Sequence, residues 1–121
     1  MKGTILAFGL EEMELLVLKE LCGMAGLEQI SVDPADFGSP LGALVGLTEK
    51  SAPVPHEPLS EKMLVFCFVP DFLLESVLDV LRAAGVAPGS YKAVLTENNV
   101  AWTPTELFAE LRRERRELEE Q

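Results

Sequence analysis

The sequence predicts an α/β fold in which a single four-stranded sheet carries helices on both faces. Two apolar runs of strand length, residues 4–9 (TILAFG) and 63–69 (MLVFCFV), are continuous rather than alternating, which is typical of strands buried on both faces. Each run is followed by a helix-length segment and then by a shorter, partly alternating segment, at 29–33 and 91–95. We therefore expect the apolar runs at the centre of the sheet and the shorter segments at its edges.

The two predicted helices distribute their apolar residues differently. In residues 71–84, with Asp71 as the predicted N-cap, the apolar side chains form one stripe opposite a charged one, as in a helix that packs on a core by one side. In residues 11–24 the apolar side chains cover most of the circumference. We therefore expect the first helix to be covered on more than one side, and we identify it as the candidate contact of a homodimer.

The second half of the chain repeats the order of the first. The segment ILAF (5–8) aligns with MLVF (63–66), and SPLGALVGL (39–47) aligns with TPTELFAEL (103–111). Both halves also carry a shared Ala-Gly step after the first helix. The alignment predicts an internal duplication of a strand–helix–strand–helix unit.

The duplication sets the expected domain organisation. Within a single domain of residues 1–121, we place the first repeat at 1–47 and the second repeat, with the C-terminal helix, at 63–121. Between them lies a proline-rich linker or surface loop at 48–62, which has no periodic apolar residues.

Two topologies satisfy this organisation. The first is a ferredoxin-like weave with antiparallel central strands, which we favour because a duplication suits its pseudo-twofold axis. The second is an open Rossmann-like sheet of strand order 2-1-3-4, which accommodates a further helix after each edge strand.

The composition argues against several classes of partner. The net charge is −10, so the surface repels nucleic-acid backbones and anionic lipid. No apolar run approaches the roughly 20 residues that a membrane span needs, and the N-terminus lacks the pattern of a signal peptide. The two cysteines, Cys22 and Cys67, lie in apolar runs and are expected to be buried free thiols. We expect a cytoplasmic protein that binds neither nucleic acid nor membrane.

The segment LTENNVAWTPTEL (95–107) gathers polar side chains between a strand and a helix. Thr103 and Glu106 have the spacing of a capping box, and Trp102 has the position of a hydrophobic staple that packs on Leu107. The asparagines before them are typical of a tight turn. A structural role for the segment is therefore the first interpretation.

The same segment is also the candidate ligand site. Loops at the carboxyl ends of strands are where α/β sheets bind ligands, and this loop offers amides and hydroxyls beside a helix N-terminus. Five residues are the candidate ligand-binding residues: Thr96, Asn98, Asn99, Trp102 and Thr103.

Catalytic groups are missing from the sequence pattern. His56 is the only histidine and lies among prolines, so neither a catalytic triad nor a metal site is expected. The glycines of FGSPLGALVG (37–46) lack the spacing and the lysine of a phosphate-binding loop. Cys67 has no nearby arginine or histidine in the sequence to lower its pKa. We predict no catalytic residue, no metal and no cofactor.

The C-terminal helix ends in RRERRELEEQ (112–121), where Leu118 is the only apolar residue. Glutamates lie four residues after three of its arginines, which favours weak ion pairs along a solvated helix. The alternative is that these last turns dock on another chain.

The second half resembles a family of small prokaryotic proteins described only as a domain of unknown function. The resemblance covers residues 63–114 and rests on Lys-Ala-Val-Leu-Thr, then Asn, Trp-Thr and Glu-Leu. The matching positions are Lys92, Ala93, Val94, Leu95, Thr96, Asn99, Trp102, Thr103, Glu106, Leu107, Glu110 and Leu111. The first half resembles the family only as a degenerate copy without the Trp and the capping Glu. The resemblance implies no particular activity.

Two functions follow as expectations. The first is a non-enzymatic protein-binding or regulatory module that contacts a second copy of itself or an unknown protein partner. The alternative is a small-molecule-binding domain or small enzyme that uses the loop 96–103.

Overall fold

The computed structural model describes residues 1–120. In this range the chain forms β1 (Thr4–Phe8), α1 (Glu12–Ala25), β2 (Glu28–Ser31), α2 (Leu41–Leu44), β3 (Met63–Cys67), α3 (Asp71–Ala83), β4 (Tyr91–Val94) and α4 (Pro104–Glu119), with a 3-10 turn at Pro34–Asp36 before α2.

The four strands form one sheet in the order β2-β1-β3-β4. Each outer strand pairs in parallel with the central strand of its own half, whereas the two central strands run antiparallel to each other. All five residues of β1 and all five of β3 are buried. The predicted α/β class, with the two apolar runs at the centre of the sheet, is therefore confirmed.

The topology combines one feature of each predicted arrangement. The central pair is antiparallel, as in the ferredoxin-like weave that we favoured, but the strand order is the 2-1-3-4 of the open sheet. The connection after α1 is short: the helix is capped by Gly26, whose φ of 73° reverses the chain, and β2 begins two residues later at Glu28. Glu28 then donates to the Gly3 carbonyl at 2.9 Å, so β2 pairs beside β1 and does not cross the sheet.

The sheet separates two apolar layers. On one face, which we call the α1–α3 face, Ile5 and Ala7 of β1 pack in a cluster with Leu18 of α1 and Leu81 of α3. On the opposite, α2–α4 face, alternate residues of the same strands pack against α2 and α4. This second cluster includes Leu6, Phe8, Leu41, Val65, Tyr91, Leu107 and Phe108. Helices therefore cover both faces of the sheet, as the continuous apolar strands predict.

The start of α3 differs from the expectation. Asp71 is the first helical residue, and the N-cap is Pro70, with extended backbone angles (φ −59°, ψ 144°). The carbonyl of Pro70 accepts from the amides of Leu73 and Leu74. The prediction that Asp71 caps the helix is therefore wrong, and its carboxylate instead lies in the first turn, where the helix dipole favours negative charge.

Residues 48–58 run over the surface as exposed chain without regular structure. Three hydrogen bonds tie this loop to the first half. Ser51 donates its amide to the Ser39 hydroxyl at 2.9 Å, Val54 donates its amide to the Ala35 carbonyl at 3.0 Å, and Lys50 donates to the Asp36 carboxylate at 3.4 Å. The repeat boundaries around this loop stay a prediction, although each half shows the same order of strand, helix, strand and helix.

The helix α4 lies along β4 and is anchored by more than its apolar residues. Beyond Leu107 and Phe108, the guanidinium carbon of Arg115 stands 3.6 Å above the centre of the Tyr91 ring. Arg113 forms ion pairs with Glu110 and Glu117 on the same helix. The basic run was expected to extend into solvent or onto another chain, but one of its arginines stacks on the edge of the chain's own sheet.

Candidate functional site

The predicted ligand loop at 96–103 is held together by its own polar groups. Asn99 is buried: its side-chain oxygen accepts the Thr96 amide at 2.9 Å and its side-chain nitrogen donates to the Val94 carbonyl at 3.1 Å. The Thr96 hydroxyl accepts the Asn99 amide at 3.2 Å. Asn99 therefore closes the turn that leads from β4 towards α4, whereas Asn98 is exposed.

The second part of the loop starts α4 as the sequence predicts. The Thr103 hydroxyl accepts the Glu106 amide at 3.3 Å, and the Glu106 carboxylate accepts the Thr103 amide at 3.0 Å. These two bonds form the capping box. Trp102 is half-buried and packs against the apolar cluster that contains Leu107.

The loop also completes the short helix α2. The carbonyls of Trp102 and Val100 accept the amides of Leu41 and Gly42 at 2.8 and 2.9 Å. The amides at the start of α2, which would otherwise be free to bind an anion, are therefore already satisfied within the chain.

The structure thus brings the five candidate ligand residues into one loop, but the polar side chains of Thr96, Asn99 and Thr103 already make hydrogen bonds within the chain. Thr96 and Asn99 fix the turn, Thr103 caps α4, and Trp102 packs on the core. A ligand role for these residues stays a prediction. Any ligand would have to use the exposed Asn98 and the outer surface of the loop.

A second candidate site lies between α1 and α3. The two helices run side by side in opposite directions, because the strands that precede them are antiparallel. An apolar groove of about 260 Å³ separates them. Among the residues that line this α1–α3 groove are Leu21, Met24, Leu73, Val77 and Val80.

Large apolar side chains are exposed on the two helices that form the groove. Phe72 of α3 is 84% exposed and Met24 of α1 is 80% exposed, and Met13 and Leu16 also project outward from α1. The sequence predicts that α1 is covered on more than one side. In residues 1–120, the side of α1 that carries Met13, Leu16 and Met24 is exposed to solvent. The interpretation of α3 as an ordinary one-sided helix overlooked Phe72 and Val80, which fall outside its main apolar stripe.

The exposed charged residues on the two helices that form the groove are mostly acidic. The exposed basic residues on the two helices are Lys19 and Arg82. Their five exposed acidic residues are Glu12, Glu20, Asp71, Glu75 and Asp79. The net charge of these exposed groups is therefore −3. The exposed surface of α1 and α3 is therefore negatively charged overall.

The two thiols are unsuited to nucleophilic chemistry. Cys22 is buried in the cluster of the α1–α3 face and Cys67 in that of the α2–α4 face, and both are free. Burial raises the pKa of Cys22 to about 11 and the pKa of Cys67 to about 12. Since the thiolate is the reactive form, neither side chain is activated.

The single histidine lies on the surface. His56 is exposed, with its Nδ1 atom 2.6 Å from the Val54 carbonyl oxygen, and residues 1–120 contain no cluster of three or more His, Cys, Asp or Glu side chains placed to hold a metal ion. Nor does this part of the chain hold a helix long and apolar enough to cross a membrane.

Comparisons with known proteins identify a family for the second half of the chain. Neither the curated proteins nor the solved structures yielded a match. A family model does match, and it covers β3, α3, β4 and nearly all of α4. The resemblance seen in the sequence is therefore confirmed: residues 62–118 match the family described as Domain of unknown function (DUF3783).

Proposed function

We propose that this chain is a non-enzymatic protein-binding module whose α1–α3 groove receives an amphipathic helix of a partner protein. The observation that supports the proposal most is the apolar groove itself, whose lining residues Met24 and Val80 are exposed, together with the exposed Phe72 on the same α3 helix. Large contiguous apolar surfaces on soluble proteins mark interaction sites. A groove between two antiparallel helices suits a third helix, which would present apolar side chains at i, i+3, i+4 and i+7.

The charge of the two helices that form the groove favours a basic partner. Their exposed groups are five acidic against two basic, so lysines or arginines beside a partner's apolar stripe would approach a surface of opposite net charge. The groove follows α1, which has 14 residues and is therefore about 21 Å long. The matching partner segment is a helix of about four turns.

A second copy of the chain is the alternative occupant of this surface. The predicted homodimer through residues 11–24 would bury Met13, Leu16 and Met24, which are exposed in the single chain. It would also bring together two pairs of helices that each carry a net negative charge, and like charges across an interface oppose association. For this reason we favour a different, basic partner over self-association.

We also propose that the protein works in the cytoplasm, because its two free thiols lie buried in separate apolar clusters, as expected in a reducing compartment.

The alternative function, a small-molecule site at 96–103, has weaker support. The side-chain amide of Asn99 already bonds to Thr96 and Val94, and the Thr103 hydroxyl already bonds to the Glu106 amide.

A synthetic helical peptide tests the proposal. The probe is a 14-residue peptide with leucines at helical spacing and lysines elsewhere, and its matched control has glutamates in place of the lysines. Binding of the lysine peptide, measured by fluorescence anisotropy, should weaken about tenfold in the double variant Met24→Gln and Phe72→Gln, as for interface anchors. The variant Leu118→Gln is the control, because Leu118 is similarly exposed but lies on α4.

Three results would contradict the proposal. The groove variant could bind the lysine peptide as well as the wild type does, which would place the contact elsewhere. The glutamate peptide could bind equally well, which would remove the charge argument. Finally, sedimentation could show a dimer that the groove variant abolishes, which would make a second copy the occupant.

A further inference from the structure

A second cavity, of about 270 Å³, lies at the amino end of β4. One wall is apolar and is formed by Leu78, Leu81, Val86 and Pro88. The other side holds basic groups from the end of α3 and from β4. This cavity, which we call the β4 pocket, opens at the opposite end of the strand from the predicted ligand loop.

Three basic side chains from three different elements converge at the β4 pocket. Arg82 of α3 and Lys92 of β4 line it directly. Arg115 of α4 reaches its border, where one guanidinium nitrogen lies 3.4 Å from the carbonyl oxygen of Gly89, another lining residue. In a chain with 10 basic residues and 20 acidic ones, this concentration of positive charge is a distinct local feature.

The positive charge at the pocket is only partly compensated. Asp79 pairs with Arg82 at 3.0 Å, but both side chains are more than 70% exposed, so the pair is weak. The carboxylate of Glu14, on α1, accepts a hydrogen bond from the amide of Ala87. Its negative charge is already paired with Lys62, at 2.5 Å. The three cations and Asp79 together leave a net charge of about +2, by formal charges at neutral pH.

The electrostatics of Lys92 agree with this geometry. The pKa of Lys92 is lowered, first by partial burial and then by repulsion from Arg115 and Arg82. Its ammonium group is held by Ser90, which accepts through its hydroxyl at 3.1 Å and through its carbonyl at 3.3 Å. A lysine in this position gains from a bound anion, since an anion removes the repulsion between the three cations.

The loop at the pocket is fixed in shape before any ligand binds. Ala87 has a φ of 44°, a left-handed conformation that is unfavourable for a residue with a Cβ. Its side chain is fully buried and its amide donates to Glu14 at 2.9 Å, which holds that conformation. The apolar and basic sides of the pocket are therefore presented in a defined arrangement.

We propose that the β4 pocket binds a small organic anion, a phosphate monoester with an apolar body. The net charge of about +2 suits the doubly charged phosphate group, and guanidinium and ammonium groups are the usual phosphate ligands in proteins. The wall of Leu78, Leu81, Val86 and Pro88 suits the apolar body. The site differs from the protein-binding groove, although Leu81 lines both, because its basic groups come from the C-terminal end of α3 and the edge of β4.

Phenyl phosphate is the probe for this site, with inorganic phosphate and phenol as its separate halves. In nitrogen-15 NMR titrations, phenyl phosphate should bind saturably and shift amide signals between residues 82 and 92. The affinity should fall about tenfold or more in Lys92→Gln and in Arg82→Gln, the size expected from losing one charged partner. Arg116→Gln and Lys19→Gln remove exposed basic groups elsewhere and should change the affinity less than about twofold.

A second readout follows the ammonium group itself. Saturation with phenyl phosphate should raise the pKa of Lys92, measured from the carbon-13 shift of its ε-carbon, because the bound anion stabilises the charged form. Arg82→Gln, whose side chain is exposed, keeps the test valid if Lys92→Gln unfolds.

Three results would overturn the assignment. Equal binding of phenyl phosphate to wild type and to Arg82→Gln would show that the basic cluster is not the site. Equal affinity for phenol would show an apolar pocket without anion recognition. Equal affinity for inorganic phosphate would remove the organic body from the ligand.

Discussion

The two halves of the molecule build the same sheet but finish it differently. After β4 the second half forms α4, a helix of 16 residues with its own capping box. After β2 the first half forms only α2, a helix of four residues without a side-chain cap. The strands and first helices of the two halves match closely, so the difference begins after the edge strand.

Glycine accounts for much of this difference. When SPLGALVGL is aligned with TPTELFAEL, Gly42 and Gly46 stand where the second half has Glu106 and Glu110, and Gly38 stands where it has Trp102. Glycine disfavours helix, and the capping glutamate is lost with it. The first half instead relies on its neighbour, because carbonyls of the loop 96–103 accept the first amides of α2.

The comparison shows that the loop 96–103 serves both halves at once. It ends β4, starts α4 and completes α2, which explains why a loop rich in polar side chains offers few free polar atoms. Substitutions in this loop and in the segments that contact it should therefore reduce stability, and the largest effect is expected at Trp102.

Trp102→Ala should destabilise the protein by about 2 kcal/mol. Removal of a fully buried Trp costs about 3 to 5 kcal/mol, and Trp102 is only half-buried against the α2–α4 cluster. Trp102→Phe should recover most of the loss, because a staple needs apolar bulk. Urea unfolding measures both variants. A loss below about 0.5 kcal/mol for Trp102→Ala, the size of an ordinary surface change, would show that the indole has no structural role.

The sequence predicted most of the framework because local patterns determine it. The continuous apolar runs identify β1 and β3 as central strands, and the Thr-Pro-x-Glu spacing identifies the start of α4. The strand order was not accessible in this way. It depends on whether the second strand of each half returns beside the first, and two topologies share the same element order.

The candidate sites were predicted less well, since they depend on residues that meet only after folding. The groove needs Val80 from α3 beside Leu21 from α1, and the β4 pocket needs Arg82 and Lys92 at one place. No short spacing in the sequence joins these pairs. The fate of Asn99 was also open, because a polar side chain in a loop can close a turn or bind a ligand, and only the fold shows that its amide is already bonded.

Gly42→Ala should destabilise the protein by about 1.5 kcal/mol, within the range for overpacking a tight contact. A Cβ at this position would stand 2.9 Å from the Cγ2 atom of Val100 and 3.2 Å from its carbonyl oxygen. The contact that completes α2 therefore leaves no space for a side chain. Thermal and urea unfolding would measure the loss.

Gly23→Ala is the matched control for this effect. Gly23 lies within α1, and no atom outside its own helix stands within 4 Å of the position that a Cβ would take there. The substitution should stabilise the protein by about 0.5 to 1 kcal/mol through helix propensity. If Gly42→Ala also stabilises the protein, the close contact between α2 and the loop 96–103 is not a tight one.

The smallest effects should come from the aligned pair Ser39 and Thr103, which make different bonds. Thr103→Ala should cost about 1 kcal/mol through the lost cap of α4. Ser39→Ala should cost about 0.5 to 1 kcal/mol, because its hydroxyl accepts the Ser51 amide and ties down the loop 48–62. Hydrogen exchange separates the two: Thr103→Ala should speed exchange in the first turn of α4, and Ser39→Ala should speed it at Ser51.

The loss of stability caused by Thr103→Ala should depend on pH, whereas the loss caused by Ser39→Ala should not. The pKa of Glu106 is lowered because its carboxylate accepts hydrogen bonds from the Thr103 amide and hydroxyl. A carboxyl whose pKa is lower in the folded protein stabilises it above the unfolded pKa, near the ordinary value of 4.5, and this contribution is lost as the pH falls through the folded pKa. The destabilisation by Thr103→Ala should therefore be largest at pH 7 and smaller at pH 3.

Ser39→Ala is the control. The Ser39 hydroxyl and the Ser51 amide do not titrate between pH 3 and pH 7, so this variant should lose the same stability at both values of pH. If the two variants show equal pH dependence, the hydrogen bonds between Thr103 and the Glu106 carboxylate do not stabilise the start of α4.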